Sequence, residues 1–299
     1  MANSSLQIQG QIIAAFGRQY LTRLEDGSEL ACLTRGKKSE VVCGDRVEIK
    51  LTGEASTENG TGAQGVIERI APRRSLLHRS DAFREKLIAA NVTQIIVVVA
   101  AEPSFSDELL ARCLVAAYDQ KLDVLIVLNK CDLAEAAAAA RQRLIPYTAI
   151  GYRVLELSAR QDVSQLRPLL QGHASVLVGQ SGMGKSTIIN ALLPDAQAAT
   201  REISTALDSG KHTTTHGRMY RLDKDSCLID CPGVQAFGLH YLSFGGIEEG
   251  FVEFAKYRGK CRFYDCRHQH EPGCALRNAV AAGEIDARRL ELFQQIAGK

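Results

Sequence analysis

The stretch Gly179-Gln180-Ser181-Gly182-Met183-Gly184-Lys185-Ser186-Thr187 satisfies the pattern G-x-x-x-x-G-K-[ST] at every fixed position. An apolar run, Val176-Leu177-Val178, leads into it, and Ile188, Ile189, Ala191 and Leu192 continue it with helical spacing. Strand, glycine loop and helix are the context in which this pattern binds phosphate. Glycines let backbone N–H groups turn around phosphate oxygens, and the helix N-terminus adds its positive end. Lys185 is placed to reach the β and γ phosphates, and the Ser186 hydroxyl to sit on Mg²⁺. The plain alternative, a Gly/Ser turn before an ordinary helix, leaves the Lys-Ser pair at this spacing unexplained.

Working outward, the residues before the loop alternate between strands and helices. Gln94 to Ala100 and Asp123 to Leu128 are continuous apolar runs, as parallel strands buried on both faces require. Arg153 to Leu157 is a further strand. Between them, Ser106 to Gln120 reads as a helix with Ser106 as cap and one apolar face at Leu109, Leu110, Cys113, Leu114 and Ala117. Ala134 to Leu144 reads as an alanine-rich helix. This alternation predicts an α/β domain with a mainly parallel sheet.

In such sheets ligands bind beyond the carboxyl ends of the strands. Asn129-Lys130-Cys131-Asp132 stands at the end of the second buried strand, and Ser158-Ala159-Arg160 at the end of the third. An Asp there accepts from the guanine N1–H and 2-amino group, donors that adenine lacks. Asn129 can face the N7/O6 edge, and the Ser158-Ala159 backbone can donate to O6. Downstream, Asp225 to Gly233 is a strand closing on D-x-x-G, with Asp230 a Mg²⁺ holder and the Gly233 N–H a sensor of the γ-phosphate. The polar run Ser209-Gly210-Lys211-His212-Thr213-Thr214-Thr215-His216 lies between loop and strand. It suits a segment ordered by γ-phosphate and Mg²⁺, with Thr214 the candidate to complete the metal shell. The nucleotide set is therefore Asn129, Lys130, Cys131, Asp132, Ser158, Ala159, the loop Gly179 to Thr187 and Gly233, with Mg²⁺ on Ser186, Thr214 and Asp230.

These motifs look like those of translation-factor-type GTPases, but their order departs from the usual one. Asn129 precedes the phosphate loop and Asp230 follows it, which is similar to the circularly permuted GTPases. Hydrolysis needs a positioned water, and many GTPases place a Gln after D-x-x-G for it. Val234 stands there and cannot hydrogen-bond. His212 is the candidate in its place, with His216 or a group supplied by a partner as alternatives, and Lys185 serves catalysis at the phosphates.

Beyond the switch, Cys261, Cys266, His268 and Cys274 form C-x₄-C-x-H-x₅-C, a Cys₃His set suited to one closed, structural Zn²⁺. His270 is a possible substitute ligand. The intervening residues are polar and charged, so a buried-cysteine cluster does not account for them. Residues 256–268 carry five cations and three aromatics against one acid. Cations neutralise phosphates and aromatics stack unpaired bases; a solvated turn with a small aromatic core is the alternative. From Ala275 to Ile296 a helical pattern closes the chain.

At the other end, residues 6 to about 70 read as short strands separated by turns such as Glu25-Asp26-Gly27 and Cys43-Gly44-Asp45, which suits a small OB-like barrel. Glu54 to Gly65 reads as a loop. Arg69, Arg73, Arg74 and Arg79 stand in a linker broken by Pro72, available for phosphates or simply solvated. The chain has 299 residues, 45% apolar and 23% charged, and a net charge of only +2, so any nucleic-acid surface must be local. Six of the nine cysteines are scattered, and most of these read as small buried hydrophobes. No signal-peptide pattern and no span-length apolar run is present, and a cytoplasmic protein with no membrane partner is expected.

The expected architecture is an OB-like barrel over 1–72, a permuted α/β P-loop GTPase over 73–237 and a small, mostly helical zinc domain over 238–299. Together these resemble, over essentially the whole chain, the YjeQ-type family of circularly permuted GTPases that depend on the small ribosomal subunit. The resemblance implies a cytoplasmic, Mg²⁺-dependent GTP hydrolase, expected to be a monomer. It implies action in small-subunit maturation, contact with ribosomal RNA through barrel and zinc domain, and stimulation by the subunit. The alternatives are an RNA-binding assembly factor with a vestigial nucleotide site, and a P-loop ATPase or kinase, against which Asn129 to Asp132 argue.

Overall fold

The computed structural model of the 299-residue chain describes residues 7–35, 40–52, 65–81, 84–194, 217–231 and 238–298. Five strands, β1 (Gln7–Phe16), β2 (Gln19–Leu24), β3 (Glu29–Thr34), β4 (Arg46–Leu51) and β5 (Gly65–Ile70), pair in the order β1-β2-β3-β5-β4. The β1–β4 pairing closes them into the expected barrel. Alternation along each strand sends Ile12, Tyr20, Leu30, Cys32, Val47, Ile49 and Ile67 into one small core.

β1 also belongs to the rest of the molecule. Ile12 lies in the barrel core, whereas its neighbour Ile13, on the opposite face, lies in the large central core. The register slips between Ile12 and Ala14, and Ala14 then pairs with Arg218.

Of the residues expected as a linker, 71–75 are irregular, but those from Leu76 onward form one strand of a hairpin, β6 (Leu76–Asp81) with β7 (Arg84–Ala90). The arginine run before it is largely spoken for. Arg73 clamps the fully buried Asp45 at 2.7 and 2.8 Å and also donates to Glu40 O, and Arg69 pairs with Glu48. Arg74 stays exposed.

The central sheet runs β10 (Arg153–Glu156), β9 (Asp123–Asn129), β8 (Gln94–Ala100), β11 (Ala174–Val178), β13 (Cys227–Asp230) and β12 (Arg218–Arg221). The first five are parallel, and β12 runs antiparallel to β13. Helix α1 (Asp107–Asp119) starts at Ser106, whose hydroxyl accepts from Leu109 N, as its sequence predicts. Helix α2 (Ala134–Ala149) runs past Pro146, beyond the Leu144 expected from sequence, because Leu144 and Tyr147 anchor its last turns in the core. A short turn, Ser164–Leu166, leads into α3 (Arg167–Leu170), and α4 (Lys185–Leu192) follows the phosphate loop.

The C-terminal part comprises α5 (Phe244–Gly250), a 3₁₀ turn (Val252–Lys256), α6 (Ala275–Ala281) and α7 (Ala287–Ala297). The single helical pattern expected from 275 onward is thus two helices, parted at Gly283, whose φ is +73°. Phe251, Phe254 and Phe293 pack ring against ring at 5.1–5.4 Å and join the same core as the central sheet. A Cβ on Gly250 would fall 2.8 Å from Val115 of α1, so only glycine lets α5 approach this closely. Arg289, 2% exposed, seals the seam: it bonds Glu253 at 2.6 Å and lies over the rings of Tyr147 and Phe251. Among the described residues no helix is long and apolar enough to cross a membrane.

Candidate functional site: a nucleotide cleft and a Cys₃His cluster

The carboxyl ends of β9, β10, β11 and β13 open into a cleft of about 560 Å³. It is lined by Asn129, Lys130, Asp132, Ala159, Gly179, Lys185, Ser186, Thr187 and Asp230, among others. Four motifs far apart in sequence therefore share one cavity.

The glycines are fixed by close approach. Gly179 (φ +147°) would put a Cβ 2.3 Å from Val98 O, and Gly184 (φ +92°) would put one 2.2 Å from Asn129 Nδ2. Asn129 is buried, 2% exposed, and ties three segments together. Its Nδ2 donates to Met183 O and its Oδ1 accepts from Ala159 N, both at 2.9 Å. Its amide thus spends one donor and its acceptor inside the protein, leaving one N–H for the N7/O6 edge expected from sequence. Ser158 Oγ accepts from Asp132 N at 2.9 Å and so fixes the start of the loop that carries the Asp132 carboxylate. Lys130, at φ +63°, donates to Glu102 O.

Besides Ser158, three residues of the expected nucleotide set stand behind the cleft without lining it. Cys131 turns its thiol to Leu128 O, and Met183 is buried. Gln180 Oε1 accepts from Ser106 N at 2.7 Å, tying the phosphate loop to the first turn of α1. Arg160 does line the cleft, although sequence assigned it no role.

Lys185 Nζ folds back onto Gly179 O and Gln180 O at 2.6 and 2.8 Å, a position that phosphate oxygens would take over. Burial holds its pKa below the ordinary lysine value, and Asp230 draws it part of the way back. Burial likewise lifts the Asp230 carboxyl above its usual range, against the pull of Lys185. A cation and an anion kept this dry strengthen any charge interaction brought between them. His212, Thr214, His216, Gly233 and Val234 lie outside the described residues.

The second cluster is Cys261, Cys266, His268 and Cys274, whose donor atoms all lie within 4.8 Å of one another. His268 Nδ1 stands 3.6, 3.6 and 3.3 Å from the three sulfurs. A tetrahedral ion with Zn–S near 2.3 Å and Zn–N near 2.0 Å has N···S edges of about 3.5 Å, so the donor set fits a closed metal site. The exposed His270 is not in the cluster. Sequence gave no hint of the supports. His268 takes the left-handed conformation at φ +61°, its Nε2 faces Glu248 at 3.6 Å, and Gln294 donates to its carbonyl. A carboxylate on the second ring nitrogen fixes the tautomer and orientation of a metal-ligating histidine. Glu271 accepts from the N–H groups of Arg267, Gln269 and His270, which draw its pKa down to about 2. The six remaining cysteines are free, and Cys32, Cys43, Cys113 and Cys231 are buried as small hydrophobes.

Comparison with known proteins agrees with this geometry. The RsgA GTPase family model matches residues 70–240. Two curated relatives carry the name small ribosomal subunit biogenesis GTPase RsgA. The one from Nitrosospira multiformis is 55% identical, over 98% of this chain and 91% of its own. The one from Burkholderia pseudomallei is 51% identical, over 99% and 93%. The solved structure of YjeQ from Thermotoga maritima is 27% identical, with a TM-score of 0.70 over 98% of both chains. That of YloQ, described as a circularly permuted GTPase, is 24% identical with a TM-score of 0.69 and shares the fold. A phosphate loop held to Asn129 and a family match over the same residues leave one conclusion: the chain belongs to the RsgA GTPase family and is a GTP hydrolase.

Proposed function

We propose that this GTPase acts in late maturation of the small ribosomal subunit. It would bind ribosomal RNA through the barrel and the C-terminal module and hydrolyse GTP faster when the subunit is bound. The observation that carries the reading is the sharing of one core by the nucleotide cleft and a cation-bearing module, in a chain whose relatives are named for this subunit. Lys256 and Lys260 of that module are exposed, and no acid pairs with them among the described residues. The ion held by Cys261, Cys266, His268 and Cys274 is assigned as zinc, in a structural role, since four protein ligands leave no open position. The three functional parts are assigned to 1–72, 73–237 and 238–299, in a cytoplasmic monomer.

In hydrolysis, Asp132 and the Ala159 N–H read guanine, the backbone of Gly179 to Gly184 cradles the phosphates, and Lys185 leaves its two carbonyls to neutralise them. Mg²⁺ bound with GTP adds further charge neutralisation; Ser186, Asp230 and Thr214 are the residues assigned to hold it. His212 is assigned to orient the attacking water. His212→Ala should keep GTP binding and lose the stimulated rate, and an undiminished stimulated rate sinks that assignment. The function itself is tested by measuring GTP turnover with purified small and large subunits added separately. Stimulation by the small subunit alone is expected; equal stimulation by both, or by neither, overturns the proposal.

A further inference from the structure

Beside the Cys₃His cluster lies a second cleft, of about 520 Å³, which the nucleotide chemistry does not use. Phe244, Glu248, Gly259, Arg262, Phe263, Tyr264, Asp265 and Arg267 line it along with three of the metal-site residues. Its size falls in the range of small-molecule sites, about 300–1,000 Å³.

The side chains around it are of two kinds. Flat groups come first. The Arg267 guanidinium lies over the Phe244 ring at 4.6 Å, and the Arg262 guanidinium over Phe263 at 5.6 Å. Phe244 is backed in turn by the His268 ring, so the metal site stiffens this wall. Tyr264 is fully exposed. Its neighbour Phe263 is 42% exposed, so two adjacent aromatic rings face solvent at the cleft. Charged groups come second. Glu248 faces His268, but Asp265 is exposed with no cation paired to it among the described residues.

The carboxylate adds what a plain phosphate site lacks: it accepts from the N–H groups on the Watson–Crick edge of a base. Phosphates have other partners close by in the chain, in the exposed Lys256 and Lys260, the latter standing between the lining residues Gly259 and Cys261. Stacked guanidinium and aromatic planes are the surfaces on which unpaired bases lie, and a duplex offers none of its base faces to such a slot.

We infer that this cleft takes a single unstacked base of single-stranded RNA, with the flanking phosphates on Lys256 and Lys260. The inference rests on the proposal that the C-terminal module contacts RNA, and it adds which chemistry of the RNA is read and by which residues.

The test uses the full chain, checked for one equivalent of bound metal, and fluorescence anisotropy with four ligands of matched length. These are a single-stranded RNA, its duplex, an abasic ribose-phosphate strand and polyglutamate. The single strand should bind at least tenfold tighter than the duplex or the abasic strand. Tyr264→Ala and Arg267→Ala should each weaken it about five- to a hundredfold, the usual loss of a base–aromatic stack. Tyr264→Ala should leave abasic-strand affinity and metal content unchanged, Arg267→Ala should weaken the single strand by a larger factor than the abasic strand, and Tyr264→Phe should restore binding. The double variant Lys256→Ala, Lys260→Ala should instead weaken single strand and abasic strand alike and flatten the salt dependence. If the lysine variant weakens binding while Tyr264→Ala and Arg267→Ala do not, base insertion is overturned and RNA contact by the module stands. If no variant alters the affinity of any RNA, both fall. Polyglutamate binding as tight as that of the single strand would assign the cleft to an acidic peptide and overturn the inference as well.

Discussion

Replacing Asn129 with alanine should cripple nucleotide binding even though most of this side chain's bonds never reach the nucleotide. Its amide joins the phosphate loop, through Met183 O, to the guanine-side segment, through Ala159 N, and it is 2% exposed. Removing it leaves a buried carbonyl and a buried N–H without partners, each worth roughly 1–3 kcal/mol. The total of about 2–6 kcal/mol falls on the arrangement that binding requires, because without nucleotide the two segments can drift apart and rehydrate. Each 1.4 kcal/mol is about tenfold in affinity, so GDP and GTP should both bind at least about 30-fold more weakly. Asn129→Asp sharpens the test. It keeps the acceptor for Ala159 N but sets a carboxylate against Met183 O, and should be no better than alanine. Calorimetric titration of both variants with GDP and a non-hydrolysable GTP analogue measures the effect. Dissociation constants within threefold of the unmodified chain, with the thermal midpoint unmoved, would refute the clamp.

Asp132→Asn should exchange guanine for xanthine nucleotides, since the amide donates where the carboxylate accepted; competition binding with the two diphosphates reads it out, and retained guanine preference counts against the assignment. Glu253→Ala strands the Arg289 guanidinium in the seam at a cost of about 3–5 kcal/mol. Calorimetry should show one transition at clearly lower temperature, because the seam belongs to the core shared with the sheet; two separated transitions contradict the shared core. Glu248→Ala should loosen the metal about 10- to 100-fold by freeing the His268 ring, which a chromophoric chelator measures; unaltered metal transfer removes Glu248 from the site.

What was legible in the sequence is what chemistry packs into a few adjacent residues. The phosphate loop, Asn129 to Asp132 and the Cys₃His spacing each carry their geometry locally, as do the Ser106 cap and the alternating barrel strands. What was not legible depends on partners distant in the chain. Nothing near Arg73 announces that it will clamp Asp45 and stop being a phosphate ligand. Asn129 was read as facing the base because its motif says so, and its bond to Met183 becomes visible only once β9 and β11 flank β8. The hairpin of β6 and β7 went unread because an arginine-rich segment resembles a linker. The alanine-rich pattern of helix α2 stops at Leu144, whereas Tyr147 holds the helix in the core past Pro146.

The permuted order of motifs leaves the cleft intact for a reason that sheet topology makes plain. Strands β9, β8, β11 and β13 stand side by side and parallel, so their carboxyl ends deliver Asn129, the Glu102 segment, Gly179 and Asp230 to one edge whatever the order of the connections. Permutation changes only what is joined covalently. Here the chain that leaves β13 goes on to build α5 and α7, which return to α1 and pack against it at Gly250 and Val115. Helix α1 in turn meets the phosphate loop, where Ser106 N donates to Gln180 Oε1, and it carries Asp107, which pairs with Arg143 of α2 and with Arg288 of α7. The module that carries the Cys₃His cluster therefore reaches the phosphate loop through one helix, α1, independently of the D-x-x-G segment that joins them in sequence. Coupling through such a helix needs two discrete arrangements of it, and Gln180 is where they would differ. Gln180→Ala cuts that bond and leaves every residue lining the cleft in place. It should lower the subunit-stimulated GTP turnover by a larger factor than the intrinsic rate. Equal reduction of both rates would make Gln180 a plain structural brace of the loop.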